Sequence, residues 1–197
     1  MRHHPGVDTR ILLRRPRFED WARVHEWGTR PEAYRYQVWG PNTERQTQDF
    51  VADAARSWAV PEGERLRWSW FADHADHGVV GAGEIHVRAP QVLTQPLVAR
   101  SRTHRQGEIS YVVHPDHWAQ GFGTTIGRLL LRIGLQQLSF HRVYATCNPG
   151  NAASAAILRK LGMTYEGHLR HTLLLRDGWA DSEVFSILES EWSDSPQ

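Results

Sequence analysis

Residues 107–124 read Gly-Glu-Ile-Ser-Tyr-Val-Val-His-Pro-Asp-His-Trp-Ala-Gln-Gly-Phe-Gly-Thr and pass from a strand-like stretch through a glycine turn into a helical pattern. Gly121 and Gly123 lack a Cβ atom, so the turn can adopt φ values closed to other residues and its backbone can approach a ligand closely. Apolar residues then recur at helical spacing from Thr124 to Leu138, which predicts one buried helix face. The unpaired N–H groups at the start of such a helix, reinforced by its dipole, favour an anion such as pyrophosphate.

Two better-known phosphate loops do not fit these residues. No lysine follows the glycines, so the stretch lacks the Lys-Ser/Thr pair that holds phosphates and Mg²⁺ in a nucleoside triphosphatase loop. The third glycine, Gly127, comes one place too late for the dinucleotide-binding fingerprint, and no carboxylate follows about twenty residues downstream to hold a ribose. A glycine turn that only packs a helix on a sheet remains the alternative for this stretch taken alone.

A second strand-and-helix unit follows the first. His141–Cys147 reads as a strand, and Asn151 opens a helix, with Ser154 three residues further on and Gly162 at its end. Asn suits the N-cap position, and Gly suits the left-handed residue that commonly ends a helix. The predicted order is therefore strand, glycine turn, helix, strand and Asn-capped helix.

The flanking segments add elements on both sides. Predicted strands cover Ile11–Arg14, Arg67–Ala72 and Gly78–His86, predicted helices cover Asp20–Glu26 and Asn42–Trp58, and a hairpin joins Leu169–Arg176 to Ser182–Leu188. The segment 87–106 is unusually long for a strand connection, which predicts either a lid or partner surface or a solvated loop. No linker or repeat divides the chain, so a single domain over residues 1–197 is expected, with residues 1–8 as a flexible tail.

Several short motifs occur in order along nearly the whole chain. They are Thr9-Arg-Ile-Leu-Leu-Arg-Arg-Pro16, Val80-Gly-Ala-Gly83, Trp118-Ala-Gln-Gly-Phe-Gly123, Asn151-x-x-Ser154-x-x-Ile157-x-x-Lys160-x-Gly162-Met163-x-x-Glu166-Gly167 and Asp177-Gly178-Trp179. Each motif is weak alone, but the ordered set resembles the GCN5-related N-acetyltransferases (GNAT), and within them the ribosomal-protein N-terminal acetyltransferase type. The chain departs from the pattern at Trp118, where many relatives carry Arg or Gln, and at Met163, where Phe is usual; neither change threatens cofactor binding.

The resemblance implies an α/β (α+β) fold of the GNAT type. Its mixed, mostly antiparallel central sheet has about seven strands, is flanked by about four helices and is splayed between strands 4 and 5. Acetyl-CoA is the implied cofactor, with its pantetheine between the diverging strands and its pyrophosphate on backbone N–H groups of the glycine loop. The cofactor-binding residues that the match implies are Tyr111, Val112, Val113, Trp118, Gln120, Gly121, Phe122, Gly123, Thr124, Asn148, Asn151 and Ser154.

The resemblance also implies direct attack of an amine on the thioester, with a tetrahedral intermediate and a thiolate leaving group. A backbone N–H of Tyr111–Val113 is expected to stabilise the oxyanion, and Ser154 to protonate the sulfur; the alternative role of Ser154 is a hydroxyl in the first turn of its helix. Glu108 on the fourth strand is the candidate base through water, but it could equally pair with an arginine. Glu84 is the alternative base.

The acceptor amine is expected to bind near the stretch between the first two helices. Tyr34, Tyr36 and Trp39 lie there and, with Glu84, are the candidate substrate-binding residues. Aromatic rings can grip the carbon skeleton of an amine and attract its ammonium form, or they can simply anchor a loop. The acceptor classes are a protein N-terminal α-amine first and a small amine, such as an antibiotic or polyamine, second. A non-catalytic acyl-CoA-binding module is the alternative to an enzyme.

Composition limits the partners. The 23 basic and 22 acidic residues nearly cancel, which gives no general field for nucleic acid or a membrane surface. No apolar run of about 18 residues and no signal-peptide core occurs, so a cytoplasmic location is expected. Cys147 is the only cysteine, which excludes an internal disulfide. The choice between monomer and homodimer stays open.

Histidine pairs at i, i+3 raise the question of a metal site. The pairs are His74/His77, His114/His117 and His168/His171. Pro115 interrupts the second pair, the third pair would lie on opposite faces of a strand, and the first lies in a polar turn. The sequence therefore predicts no native metal ion.

Overall fold

The computed structural model describes residues 9–88 and 105–193 as one seven-stranded sheet with five helices. The strands are β1 (Ile11–Arg14), β2 (Arg67–His74), β3 (Gly78–Arg88), β4 (Gln106–Val113), β5 (Arg142–Cys147), β6 (Thr164–Leu175) and β7 (Gly178–Leu188). The helices are α1 (Trp21–Gly28), α2 (Pro31–Tyr34), α3 (Glu44–Arg56), α4 (Phe122–Arg132) and α5 (Ala152–Lys160). Single 3₁₀ turns lie at Phe18–Asp20, Ser57–Ala59, Pro115–His117 and Glu189–Glu191, and a π-turn, Ile133–Gln137, extends α4.

The sheet has the strand order β1-β2-β3-β4-β5-β7-β6, and among the strands of the described residues only β4 and β5 run parallel. These two strands pair over three residues, ending at Glu108 opposite Tyr144. Beyond that point β4 stays paired to β3 as far as Val113, and β5 stays paired to β7 as far as Cys147. Within the described residues, β4 and β5 therefore separate from each other while each stays paired to its other neighbour. This confirms the predicted splay and the mixed, mostly antiparallel sheet.

One face of the sheet is covered by α4 and α5. Ile126 and Leu130 of α4 are fully buried and pack over β3. A Cβ atom on Gly83 would lie 3.0 Å from Leu130 Cδ1, and one on Gly81 would lie 2.4 Å from the carbonyl oxygen of Val112. These two glycines of the second motif therefore permit the close approach of α4 and β4 to β3.

The opposite face is covered by α1 and α3 around a second apolar cluster. Its buried members are Val24, Trp27, Ala33, Val51, Phe71, Val79 and Ala82. Thr43 caps α3, because its Oγ1 accepts a hydrogen bond from Gln46 N (3.3 Å) while Gln46 Oε1 accepts one from Thr43 N (2.8 Å). Ser110 is nevertheless exposed in the middle of β4, a central strand. The helices thus leave part of this face open to solvent.

Most predicted elements are present with shifted ends. β1 spans the predicted residues, whereas α4 begins at Phe122 instead of Thr124 and the final hairpin is longer because β6 begins at Thr164. The single-turn helix α2 has no counterpart in the sequence prediction. β3 continues to Arg88 and β4 begins at Gln106, while residues 89–104 of the predicted insertion and residues 1–8 lie outside the described ranges. Within those ranges, no helix combines the length and apolar character needed to cross a bilayer.

Candidate active site

The glycine loop forms an open cradle at the start of α4. Gly121 is the N-cap residue with φ 84° and ψ −4°, and no atom would lie within 4 Å of a Cβ placed on it. The first helical hydrogen bond joins Thr125 N to Gly121 O (3.0 Å). The preceding N–H groups of the first turn therefore have no partner within the helix. This geometry fits a pyrophosphate, since the N–H groups and the helix dipole both favour an anion.

Gly123 serves a different purpose from the one expected. It lies inside the first turn of α4 without a left-handed φ, so the predicted conformational freedom is not what the chain uses there. A Cβ atom on Gly123 would lie 2.8 Å from Ile157 Cδ1 on α5. The absence of a side chain therefore permits close packing of the two helices that flank the splay.

The side chains of the loop brace its backbone. Trp118 Nε1 donates to Val113 O (2.9 Å), and Gln120 Nε2 donates to Asp116 O (3.1 Å). Ala119 adopts φ 59°, an uncommon conformation for a residue with a Cβ, and such strain concentrates at functional sites. Trp118 and Gln120 thus hold the loop in shape, and direct contact of these side chains with coenzyme A stays a prediction.

The splay exposes particular backbone groups of β4. His114 N donates to Val80 O on β3 (2.8 Å), and N–H groups alternate sides along a strand. The N–H of Val112 therefore also points towards β3, whereas those of Tyr111 and Val113 point towards the space left by β5. Of the three residues expected to supply the N–H group for the oxyanion, Tyr111 and Val113 have an N–H that points into the splay, and Val112 does not.

Three uncharged polar side chains meet in the splay. They are the phenol of Tyr111, the hydroxyl of Ser154 and the thiol of Cys147. Burial raises the pKa of Tyr111 to about 12, and burial followed by the charge of Glu183 raises the pKa of Cys147 to about 11. The nearby Ser154 hydroxyl opposes both pKa shifts. Within the described residues, the buried Tyr111 hydroxyl has no hydrogen-bond partner of normal geometry. A buried hydroxyl without a partner suits a site that a polar ligand completes.

The start of α5 is ordered by two asparagines. Asn151 Oδ1 accepts a hydrogen bond from Ser154 N (3.1 Å), which confirms the predicted cap, and Asn148 Oδ1 accepts one from Gly150 N (2.9 Å). Both side chains are engaged in turning the backbone. The cap uses the main-chain N–H of Ser154 and does not occupy its hydroxyl, which lies beside Tyr111 and Cys147.

Glu108 lies where β4 and β5 are still paired, just before the splay. Its Oε2 accepts hydrogen bonds from Arg88 Nε (2.8 Å) and Nη2 (2.7 Å), and from the Tyr144 hydroxyl (3.3 Å). The arginine pairing left open by the sequence is thus present. The pairing occupies Oε2 of Glu108 and gives this residue a structural role beside its candidate role as the base.

Glu84 lies on β3 directly opposite Ser110, on the open face of the sheet. Its Oε1 accepts a hydrogen bond from Ser69 Oγ (2.5 Å), and its Oε2 lies 3.1 Å from His86 Nε2. Burial opposes the charge, but the hydrogen bonds from His86 and Ser69 outweigh it and lower the pKa of Glu84. Glu84 is therefore a charged carboxylate at neutral pH beside the uncovered part of β4.

The three aromatic residues predicted for the acceptor site have separate tasks. Trp39 packs with Val112 against the apolar cluster on the open face. The Tyr36 hydroxyl donates to Gly150 O (2.9 Å) in the loop before α5. Tyr34 turns towards the β6–β7 hairpin, where the guanidinium of Arg176 lies 4.6 Å above its ring. Trp39 is thus the residue closest to the expected role, and Arg176 is a contact that the sequence did not indicate.

Two His-x-Asp-His segments converge beneath the glycine loop. His77 stacks on His74 and lies against His117, with ring centroids 4.6 and 4.8 Å apart. Phe122 stacks on His74 (5.1 Å) and on His117 (5.5 Å). Spacing along the sequence does not indicate this convergence, because the two segments follow different strands, β2 and β4. In the described ranges no three His, Cys, Asp or Glu side chains are arranged to hold a metal ion.

Comparison with known proteins places this geometry in a family. The sequence profile of the Acetyltransferase (GNAT) domain matches residues 10–164. The chain therefore belongs to the GNAT acetyltransferases, and it is an N-acetyltransferase that uses acetyl-CoA.

Individual relatives are distant. The uncharacterised N-acetyltransferase YnaD of Bacillus subtilis (strain 168) is 24% identical over 195 residues, covering 93% of this chain and 96% of YnaD. The spermidine N(1)-acetyltransferase of Escherichia coli (strain K12) is 24% identical over 96 residues, covering 49% of this chain and 52% of that protein. Among solved structures, the spermidine N-acetyltransferase of Vibrio cholerae in complex with CoA and spermine has a TM-score of 0.73 at 17% identity, covering 93% and 98% of the two chains.

The cradle at Gly121 generates a prediction about cofactor affinity. We expect Gly121→Val to weaken coenzyme A binding by about tenfold or more, because a branched side chain would strain the left-handed turn and occupy the open space before the N–H groups. Isothermal calorimetry with the folded variant measures this. Gly162→Val is the matched control, since Gly162 has φ 81° at the far end of α5. Equal losses in both variants, or none in Gly121→Val, would contradict a pyrophosphate site here.

The buried histidines predict how stability depends on pH. Burial is the largest cause that lowers the pKa values of His114 and His117; Arg23 adds to it at His114, and His77 and His114 add to it at His117, while Asp116 opposes both shifts. The unfolded chain therefore binds these protons more readily, so the free energy of unfolding should be highest above about pH 6.5 and decrease as the pH falls below it.

Urea unfolding between pH 5 and 7 tests this prediction. In His117→Gln the decrease with falling pH should be smaller, whereas the exposed His141→Gln should retain the full decrease. An identical pH dependence in wild type and His117→Gln would assign the effect to other groups.

Proposed function

We propose that this acetyltransferase acetylates a small aliphatic primary amine that enters from the open face of the sheet. The observation that carries the proposal is the charged, hydrogen-bonded Glu84 beside exposed Ser110, on the face where Trp39 packs against the apolar cluster. A carboxylate attracts an ammonium group, and an aromatic wall covers its carbon chain. The spermidine acetyltransferases among the relatives support a small-amine acceptor.

The loop that carries Trp39 also favours a small acceptor. Tyr36 fastens it to Gly150, and Arg176 occupies several of its carbonyl groups. Those carbonyls are then not available to pair with the backbone of an extended peptide. An N-terminal α-amine of a protein, the class first expected from the sequence, stays the second candidate.

Acetyl-CoA supplies the acetyl group in activated form as a thioester. Backbone N–H groups of Tyr111 and Val113 face the splay and would stabilise negative charge on the acyl oxygen. Ser154 would donate its hydroxyl proton towards the sulfur, with the protonated phenol of Tyr111 beside it. Glu84 would hold the ammonium form of the acceptor and guide it to β4.

The acceptor class is tested by following thiol release from acetyl-CoA with polyamines, aminoglycosides and peptides of varied N-terminal sequence. We expect the highest kcat/KM with linear aliphatic amines. A clear preference for peptides would favour the protein N-terminal class instead. Tight coenzyme A binding without turnover of any amine would favour a non-catalytic acyl-CoA-binding module.

A variant at Ser154 tests whether this residue is the acid that protonates the departing sulfur. Ser154→Ala should lower kcat by about 10²–10⁴-fold with little change in coenzyme A affinity, because the hydroxyl acts on the sulfur only during transfer. The melting temperature should stay close to that of wild type, since the Asn151 cap uses the main-chain N–H of residue 154. Normal turnover in this variant would reduce Ser154 to a first-turn residue.

Paired variants can distinguish the roles of the carboxylates of Glu84 and Glu108. Glu84→Gln should raise the acceptor KM by about tenfold or more and leave the KM for acetyl-CoA nearly unchanged, because only the ammonium loses its partner. Glu108→Gln is the matched control on the neighbouring strand and should have a smaller effect on the acceptor KM. If Glu108→Gln instead abolishes kcat while Glu84→Gln is mild, Glu108 is the base.

A further inference from the structure

One guanidinium group joins two distant parts of the chain. Arg176, at the tip of the β6–β7 hairpin, reaches the acceptor loop, which we define as residues 35–42 between α2 and α3. Its Nε donates to Gly40 O (2.7 Å) and its Nη1 to Gln37 O (3.3 Å), while its Nη2 lies close to the carbonyls of Trp39 and Gly40. Tyr34 at the end of α2 completes the site, with its carbonyl 3.4 Å from Nη1 and its ring under the guanidinium.

This contact suits arginine and no other residue. The planar guanidinium presents five N–H donors in a fixed fork, so it can satisfy several carbonyls at once while it stacks on an aromatic ring. The loop is wound tightly around Tyr34, because Gly40 has φ 81° and a Cβ atom there would lie 2.6 Å from Tyr34 Cβ. Lysine, with a single ammonium group, could replace only part of this arrangement.

The acceptor loop connects the contact to the open face. Trp39 belongs to the loop and packs against the same apolar cluster as Trp21 and Val112, on the face that carries Glu84. The loop is tied at its other side by the Tyr36 hydroxyl bond to Gly150. The position of Trp39 on this face therefore depends on the contact between the loop and Arg176 of the hairpin.

Arg176 is not part of either apolar cluster. It is exposed, and its neighbours at the hairpin tip, Leu174 and Trp179, are each 61% exposed. The contact therefore contributes little to the core, and variants at this position should fold. A role in holding the loop can be separated from a role in overall stability.

We propose that Arg176 is a positioning residue that fixes the acceptor loop and through it sets the affinity for the acceptor amine. It acts at a distance from the chemistry, through the carbonyls of the loop and the placement of Trp39. The inference about affinity rests on the proposed acceptor side, whereas the inference about loop order does not. The cofactor cradle at Gly121 is built from other elements and should be unaffected.

Arg176→Met and Arg176→Lys test the proposal, with Arg170→Met on β6 as a control that removes an exposed arginine from the same hairpin. Hydrogen exchange of the free enzyme should be about tenfold faster or more in residues 35–42 of Arg176→Met, and intermediate in Arg176→Lys. The acceptor KM should rise by about tenfold in Arg176→Met while coenzyme A affinity stays within about twofold. Arg170→Met should match wild type in each measurement.

The outcomes distinguish this proposal from the proposed function. Unchanged exchange in residues 35–42 of Arg176→Met would overturn the loop-holding role whatever the activity. Faster exchange with equal increases in both KM values would overturn the specific link to the acceptor. If wild type turns over no amine, the small-amine function fails, while faster exchange in Arg176→Met would still support the positioning of the loop.

Discussion

The separation of β4 from β5 after Glu108 and Tyr144 is the constraint on which the rest of the structure depends. Each strand keeps its outer neighbour, so the sheet stays continuous while its middle opens. The backbone N–H groups of β4 that point into the gap would cost about 1–3 kcal/mol each if they were buried without a partner. A ligand that supplies acceptors along the gap would satisfy this requirement, and coenzyme A bound as proposed would be such a ligand.

The two sides of the opening have different chemistry. On the α5 side, a phenol, a hydroxyl and a thiol lie together, and burial raises the pKa of the phenol and of the thiol further above neutral pH. On the α1–α3 side, Glu84 is held in its charged form. Under the proposed function, the three uncharged groups would face the thioester and the departing sulfur, and the charged carboxylate would face the ammonium group. The sheet would then keep the acceptor charge apart from the leaving group until the two substrates meet at β4.

Local sequence patterns predicted the features that neighbouring residues determine. Asn151, Gly162 and the strand before Gly121 are examples, since caps and turns depend on spacing along the chain. The features that were missed join distant segments: Arg176 to the acceptor loop, and His77 to His117. Even the role of Gly123 depends on Ile157 of another helix. Such contacts follow from the order of strands in the sheet, which spacing alone does not encode.

The environment of Glu84 also limits what it can do in the reaction. Hydrogen bonds from Ser69 and His86 lower its pKa, and a carboxylate with a lowered pKa is a weak acceptor for the proton of an ammonium group. Its stronger contribution is electrostatic: it attracts and orients the cation. The proton can then leave through water at exposed Ser110, two residues from Val112 on the same face of β4. Glu84 would thus concentrate the acceptor at the strand that carries the oxyanion N–H groups, while solvent receives the proton.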